Sequence, residues 1–155
     1  MENAIKLVFA SIYSPESRAY FNAIDYMIEE EKMAVIIQEV VGNEHNGKYY
    51  PEISGVAQSY NFYPFSYIQP EDGFAVTAIG LGAYVVGGER THRFSPAYPK
   101  LQLASVQDKI KASQRYFYGI NMLAWDYDLY RDGENAAIKA YELSEAERDG
   151  TLEYT

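Results

Sequence analysis

The run Met33–Val41, MAVIIQEVV, followed by a turn and the run Gly47–Tyr60, GKYYPEISGVAQSY, decides how this chain is read. Five successive apolar residues predict a buried strand over 33–41. Gln38 and Glu39 then interrupt it before Val40 and Val41 resume. A buried strand gains nothing from two adjacent polar side chains unless they bind something, because an unpartnered polar group taken out of water costs free energy. Adjacent strand residues face opposite sides, so only one of the pair points into a given cleft. The strand backbone can meanwhile offer an amide and a carbonyl to a flat heterocycle such as adenine, with Glu39 placed for a ribose hydroxyl. A strand emerging into solvent carries the same two residues without any ligand, and from the residues alone that is the commoner case.

Working outward, Gly42–Lys48 has the Gly and Asn content of a hairpin connection longer than two residues. Tyr49–Asn61 reads as the return strand, with Pro51 at its edge or entry. Phe62–Asp72 reads as an aromatic loop, Gly73–Ile79 as a third strand and His92–Ser95 as a short fourth one. Between them, Gly80-Leu81-Gly82 ends the third strand and a short helix follows it. Upstream, Ile5, Val8, Phe9 and Ile12 give Glu2–Tyr13 one apolar helical face. Ser14 then caps a second helix opening at Pro15 and running to about Ala23, and Glu29–Lys32 is a solvated lead into the first strand.

Downstream, Ser105–Met122 has helical spacing, Ala124–Tyr130 alternates like a half-exposed strand, and Asn135–Leu143 is open between helix and strand. Ser144 is the expected cap of a final helix. Helices followed by strands, without βα alternation, give the class as α+β: an antiparallel sheet flanked by helices.

Composition narrows the function. A net charge of −9 argues against nucleic-acid or anionic-membrane partners, both of which need a basic surface. No cysteine means no disulfide framework and no thiolate chemistry. No apolar run reaches membrane-spanning length and no leader pattern opens the chain, so a cytoplasmic setting is expected. Sixteen tyrosines point to half-buried surfaces and contacts with other protein segments. Met1-Glu2-Asn3 runs straight into a helix and the end lacks a closing element, which predicts a piece cut from a longer protein.

Glycines at 80, 82, 87 and 88 let backbone approach a phosphate, although the dinucleotide fingerprint and the P-loop Lys-Ser/Thr are missing and a plain tight turn explains them as well. His45 and His92 have no ligand spacing and read as surface histidines. Arg90 and Arg93 have the charge to touch phosphate, but basic residues on a solvated strand are commoner. Asp126, Asp128 and Asp132 lack the Gly and terminal Glu of a calcium loop and read as a solvated face.

Four segments occur together in an order that resembles one family. They are the helix AIKLVFASIYSPESRAYF (Ala4–Phe21), the strand AVIIQEVVG (Ala34–Gly42), the return ISGVAQS (Ile53–Ser59) and the element GLGAYVVGGE (Gly80–Glu89). Order and spacing are similar to the nucleotide-binding domain of phosphoenolpyruvate synthase and pyruvate phosphate dikinase, over about Ala4 to Lys100. The resemblance implies an ATP-grasp-like fragment, with 1–100 as part of that domain and 101–155 as a carboxy-terminal helical and extended extension. It carries Gln38, Glu39, Val40 and Val41 to the adenine and ribose pocket, and Gly80 and Gly82 toward the phosphates.

By resemblance the cofactors are ATP and Mg2+, the partners are pyruvate or phosphoenolpyruvate and other domains of the same chain, and phosphoryl passes through a histidine on a separate swivelling domain. The expected function is a fragment of such a phosphotransferase, inactive alone and prone to self-association through exposed apolar surface. The alternative is a non-catalytic interaction module derived from an ATP-grasp domain. This sequence departs from the family pattern at Ala83, where an acidic residue usually follows GLG, at Gln58, where Phe is frequent, and at Tyr20-Phe21, where a Tyr-Arg pair is expected. The phosphate-facing Lys and Arg of the amino-terminal lobe, the phosphohistidine segment and the pyruvate domain have no counterpart here, and neither His45 nor His92 matches the swivelling histidine.

Overall fold

Proline lacks the N–H that a central ladder needs, and Pro51 divides the expected return strand into pieces that belong to different sheets. The computed structural model describes residues 1–24, 27, 31–87, 91–101, 105–124, 126–133 and 136–153. The chain forms two compact units, Met1–Val40 with Asp128–Glu134, and Val41–Tyr127 with Asn135–Thr155.

In the first unit, α1 (Glu2–Ala10) continues into a 3-10 turn at Ser11–Tyr13. Ser14 ends that turn in extended conformation and caps α2 (Pro15–Ala23), its Oγ accepting from the Ser17 amide at 3.2 Å. The expected cap and the proline at the first helical position are both present, satisfying one of the orphan donors at the helix start. Neither helix contains a buried residue. Residues 33–41, expected as the first strand, lie in no strand, and no strand occurs in the first unit among the described residues. A strand exists only where a neighbour takes up its backbone groups, so composition alone does not make one. A short helix over Leu129–Asp132 replaces the strand expected at 124–130. Asp128 caps it, Oδ1 accepting from the Tyr130 and Arg131 amides.

The second unit holds both sheets, and both are antiparallel. β1 (Asn43–His45), β2 (Lys48–Tyr50), β6 (Tyr116–Asn121) and β7 (Ile138–Glu142) form a sheet in the order β1-β2-β6-β7. β3 (Ser54–Gln58), β4 (Phe74–Ala78) and β5 (His92–Phe94) form the other. The α+β class holds, with two small sheets in place of the single one expected. The β1–β2 hairpin is tighter than the expected connection. His45 pairs with Lys48 across a two-residue turn, and Asn46 (φ 51°) and Gly47 (φ 77°) take the left-handed backbone that an Asn-Gly turn favours.

The expected helix over 105–122 stops early. α4, labelled here after the four-residue α3 (Ala83–Val86), covers Val106–Ala112, and the next residues form β6. YFYGIN is rich in aromatic residues that fit a pleated surface, and β2 and β7 flank it on both sides. β7 resolves the open reading of 135–143 and runs directly into the last helix, Leu143–Arg148. Glu142 stands at its N-cap with no side-chain cap bond, so Ser144 is not the cap. The core of this unit is Tyr50, Phe117, Tyr141 and Ala146, with Ile79, Leu143 and Leu152 packed around it. Phe117 lies between the two tyrosine rings, at 4.6 Å from Tyr50 and 5.6 Å from Tyr141 between centroids.

Candidate functional site

A cleft of about 700 Å3 opens in the second unit between β4, β5 and α4. The antiparallel register builds its sheet wall: Thr77 pairs with His92 and Ala75 with Phe94, so these residues share one face while Val76 and Arg93 take the other. The His92 and Phe94 rings stack with 5.5 Å between centroids. Across the cleft stand Lys109 and Ser113 of the α4 end, and Pro99, Lys100 and Leu101 close one side.

Gln114 ties the walls together. Its Oε1 accepts from the Ile79 amide at 2.9 Å, and its Nε2 donates to the carbonyls of Ile79 (3.0 Å) and Tyr116 (2.8 Å). One amide side chain thereby satisfies the backbone just past β4, where the ladder ends, and fixes α4 and the start of β6 against it. The spacing across the cleft is set by this clasp.

The glycine element lies next to it in sequence and performs a packing task. Gly80 has φ 83°, and a Cβ there would stand 2.6 Å from the Tyr118 carbonyl oxygen. Leu81 donates its amide to that same carbonyl at 2.8 Å, and the Ser54 hydroxyl donates to the Gly80 carbonyl. The element therefore joins the two sheets. Gly82 is different: it has ordinary helical φ, and a Cβ would meet only Ser54 Cβ, at 4.0 Å.

Of the other sequence-derived candidates, Gln38, Glu39 and Val40 fall in the first unit and Val41 in the second, and all four are exposed. Gly88 and Arg90 lie outside the described residues. His45 is not a surface histidine. Its ring packs 4.9 Å from that of Tyr50, and its Nε2 is enclosed without a hydrogen-bond partner among the described residues. His92 is exposed in the cleft wall. The Arg93 guanidinium is committed elsewhere, 3.8 Å over the Phe74 ring and donating to Asn61 Oδ1 at 3.0 Å. Asp132 pairs with Arg131, whose Nε donates at 2.7 Å, and this contact together with the Asp128 amide pulls its carboxyl down to about 2.

Lys100, Lys109 and Gln114 were missed by sequence reasoning. They lie in or beside the segment read as a separate extension, and only the folding of α4 onto β4 brings them to the sheet. Mg2+, which the family resemblance implies, takes oxygen ligands. The residue after Gly82 is Ala83, a methyl with no oxygen to offer, and among the described residues no three His, Cys, Asp or Glu side chains converge. The described residues thus form no all-protein cage for the ion, which needs only one or two carboxylates beside substrate phosphates.

Fold and site together define an α+β module with an open cleft whose charged side chains are basic. A family model described as "Pyruvate phosphate dikinase, AMP/ATP-binding domain" matches residues 1–124, and the chain belongs to that family. No curated protein and no solved structure matches it. Among the described residues no helix is long and apolar enough to cross a membrane.

Proposed function

We propose that this chain supplies part of the ATP site of a phosphoenolpyruvate synthase-like phosphotransferase and does not turn over by itself. Family membership across residues 1–124 carries the reading. In this proposal Gln38, Glu39, Val40 and Val41 contact adenine and ribose, and the backbone at Gly80 and Gly82 approaches the phosphates. Phosphoryl then passes through a histidine on another domain to pyruvate, in a cytoplasmic enzyme. Mg2+ required by that reaction draws ligands from outside the residues described here. Such catalysis rests on positioning and on neutralising phosphate charge, so a partial site binds without reacting.

Calorimetric titration of the full chain with ATP, AMP and GTP tests this. Saturable binding of both adenine nucleotides, weaker binding of GTP and no ATP consumption with pyruvate are expected. Failure to bind ATP overturns the reading.

Ala83 favours a second reading, an interaction module descended from an ATP-binding domain, because the acidic side chain of the family pattern is gone. Under the first reading Ala83→Glu makes ATP binding strengthen with added Mg2+; under the second neither protein responds to nucleotide.

A further inference from the structure

We propose that the cleft between β4, β5 and α4 seats the phosphate groups of an organic oligophosphate, with Lys100 and Lys109 as the countercharges. The chain as a whole carries −9, yet the described residues that line this cleft include no carboxylate, while both lysines line it. Neither lysine has an ion-pair partner among the described residues. In a protein this acidic, cations at a concave surface whose described lining carries no carboxylate are the local feature that attracts an anion. Thr77 and Thr91 line the same wall. Arg93 also lines the cleft, but its guanidinium is engaged by the Phe74 ring and Asn61 Oδ1, so the two lysines supply the unengaged charge.

The volume, about 700 Å3, exceeds what a single phosphate fills and lies in the range of organic-ligand sites. Ile79, Phe94 and Leu101 offer apolar surface to the body of such a ligand. The Gln114 clasp on Ile79 holds the carboxy-terminal end of α4 in place, so the Lys109 side is preorganised rather than loosely tethered. The inference rests on the nucleotide reading for the organic body of the ligand, but not for its phosphates. It assigns phosphate contacts to side chains of this chain in addition to the glycine backbone.

The test uses inorganic tripolyphosphate as the probe, titrated calorimetrically into the full chain at low ionic strength. Three proteins are compared: wild type, Lys100→Ala/Lys109→Ala, and Lys111→Ala/Lys139→Ala, which removes the same charge from the same unit outside the cleft. All four lysines are exposed, and circular dichroism checks that each variant keeps its fold. The expected result is saturable binding by wild type, weakened about tenfold or more in the cleft variant and by less than about twofold in the control. No binding by wild type, or equal weakening in both variants, overturns the proposal. ATP is then titrated into the same proteins. ATP binding that survives the cleft substitutions leaves the nucleotide reading standing and overturns this one. Tripolyphosphate binding that depends on the two lysines, with ATP binding no tighter than tripolyphosphate, supports the phosphate seat and removes the nucleotide reading.

Discussion

Lys48 is 8 % exposed and stands between two carboxylates, 3.1 Å from Asp149 and 3.4 Å from Glu145. Asp149 is almost fully enclosed, and it also accepts from Asn46 Nδ2 at 2.7 Å and from the Tyr50 hydroxyl at 2.8 Å. Breaking a buried pair on one side leaves an uncompensated charge, so Lys48→Met is expected to lower unfolding stability by roughly 2–4 kcal/mol in urea titrations. The same cluster sets the pH range of stability. Burial pushes the Asp149 carboxyl up, but hydrogen bonds from Asn46, Tyr50 and Lys48 outweigh it and leave it below the usual carboxylate value. A depressed acid stabilises the fold above its unfolded value, about pH 4, and that contribution is lost as pH falls through the folded value. Burial pushes the Tyr50 hydroxyl up to about 12, against the opposing hydrogen bond with Thr151. A raised group stabilises below its unfolded value, about pH 10, and that contribution is lost as pH climbs toward the folded one. Urea midpoints should therefore be flat near neutrality and fall on both flanks. The glycines separate folding from binding at the same scale. Gly80→Ala meets both the Tyr118 carbonyl and a strained φ, and should cost about 2 kcal/mol. Gly82→Ala meets only an ordinary van der Waals contact with Ser54 and should leave the urea midpoint unchanged, so a loss of ATP binding in that variant reports on ligand approach.

At the scale of elements, the second unit depends on chain beyond the family match. β7 pairs with β6 over five residue pairs, from Tyr116↔Glu142 to Ile120↔Ile138. Tyr141 and Ala146 supply half of the four buried core residues. A chain ending at residue 124 leaves β6 with an open edge and Phe117 uncovered, and should lose near-ultraviolet circular dichroism and cooperative melting. Local rules served well where an element's reason is local. Ser14-Pro15 opens a helix because the cap and the preset φ act within one turn. Strands 74–78 and 92–94 are bounded by glycine and proline as read. Helical spacing over 105–122 misled after Ala112, because a sheet neighbour overrides weak helical propensity.

On the scale of the whole molecule, exposed aromatic and aliphatic side chains are abundant, with Phe62 at 73 %, Phe65 at 62 % and Ile36 at 82 % exposed. Phe62 and Phe65 sit on a loop tied down by Ile68, which is 4 % exposed, and by the Asn61 amide bond to Pro70. A patch presented by an anchored loop favours association. Sedimentation velocity should show concentration-dependent self-association, reduced in Phe62→Ser/Phe65→Ser.

The sequence by itself determined the α+β class, the two amino-terminal helices with their shared Ser14 boundary, the family resemblance and the absence of cysteine chemistry. Each follows from short-range rules or from composition. Tertiary structure alone decided that 33–41 forms no strand, that Pro51 sends the chain from one sheet to the other, and that β2 meets β6 some seventy residues later, Lys48 opposite Asn121. It alone brought Lys100 and Lys109 to the β4–β5 wall. The reason is that a strand and a cleft are relations between distant segments, whose backbone groups and charges find partners only once the chain has folded.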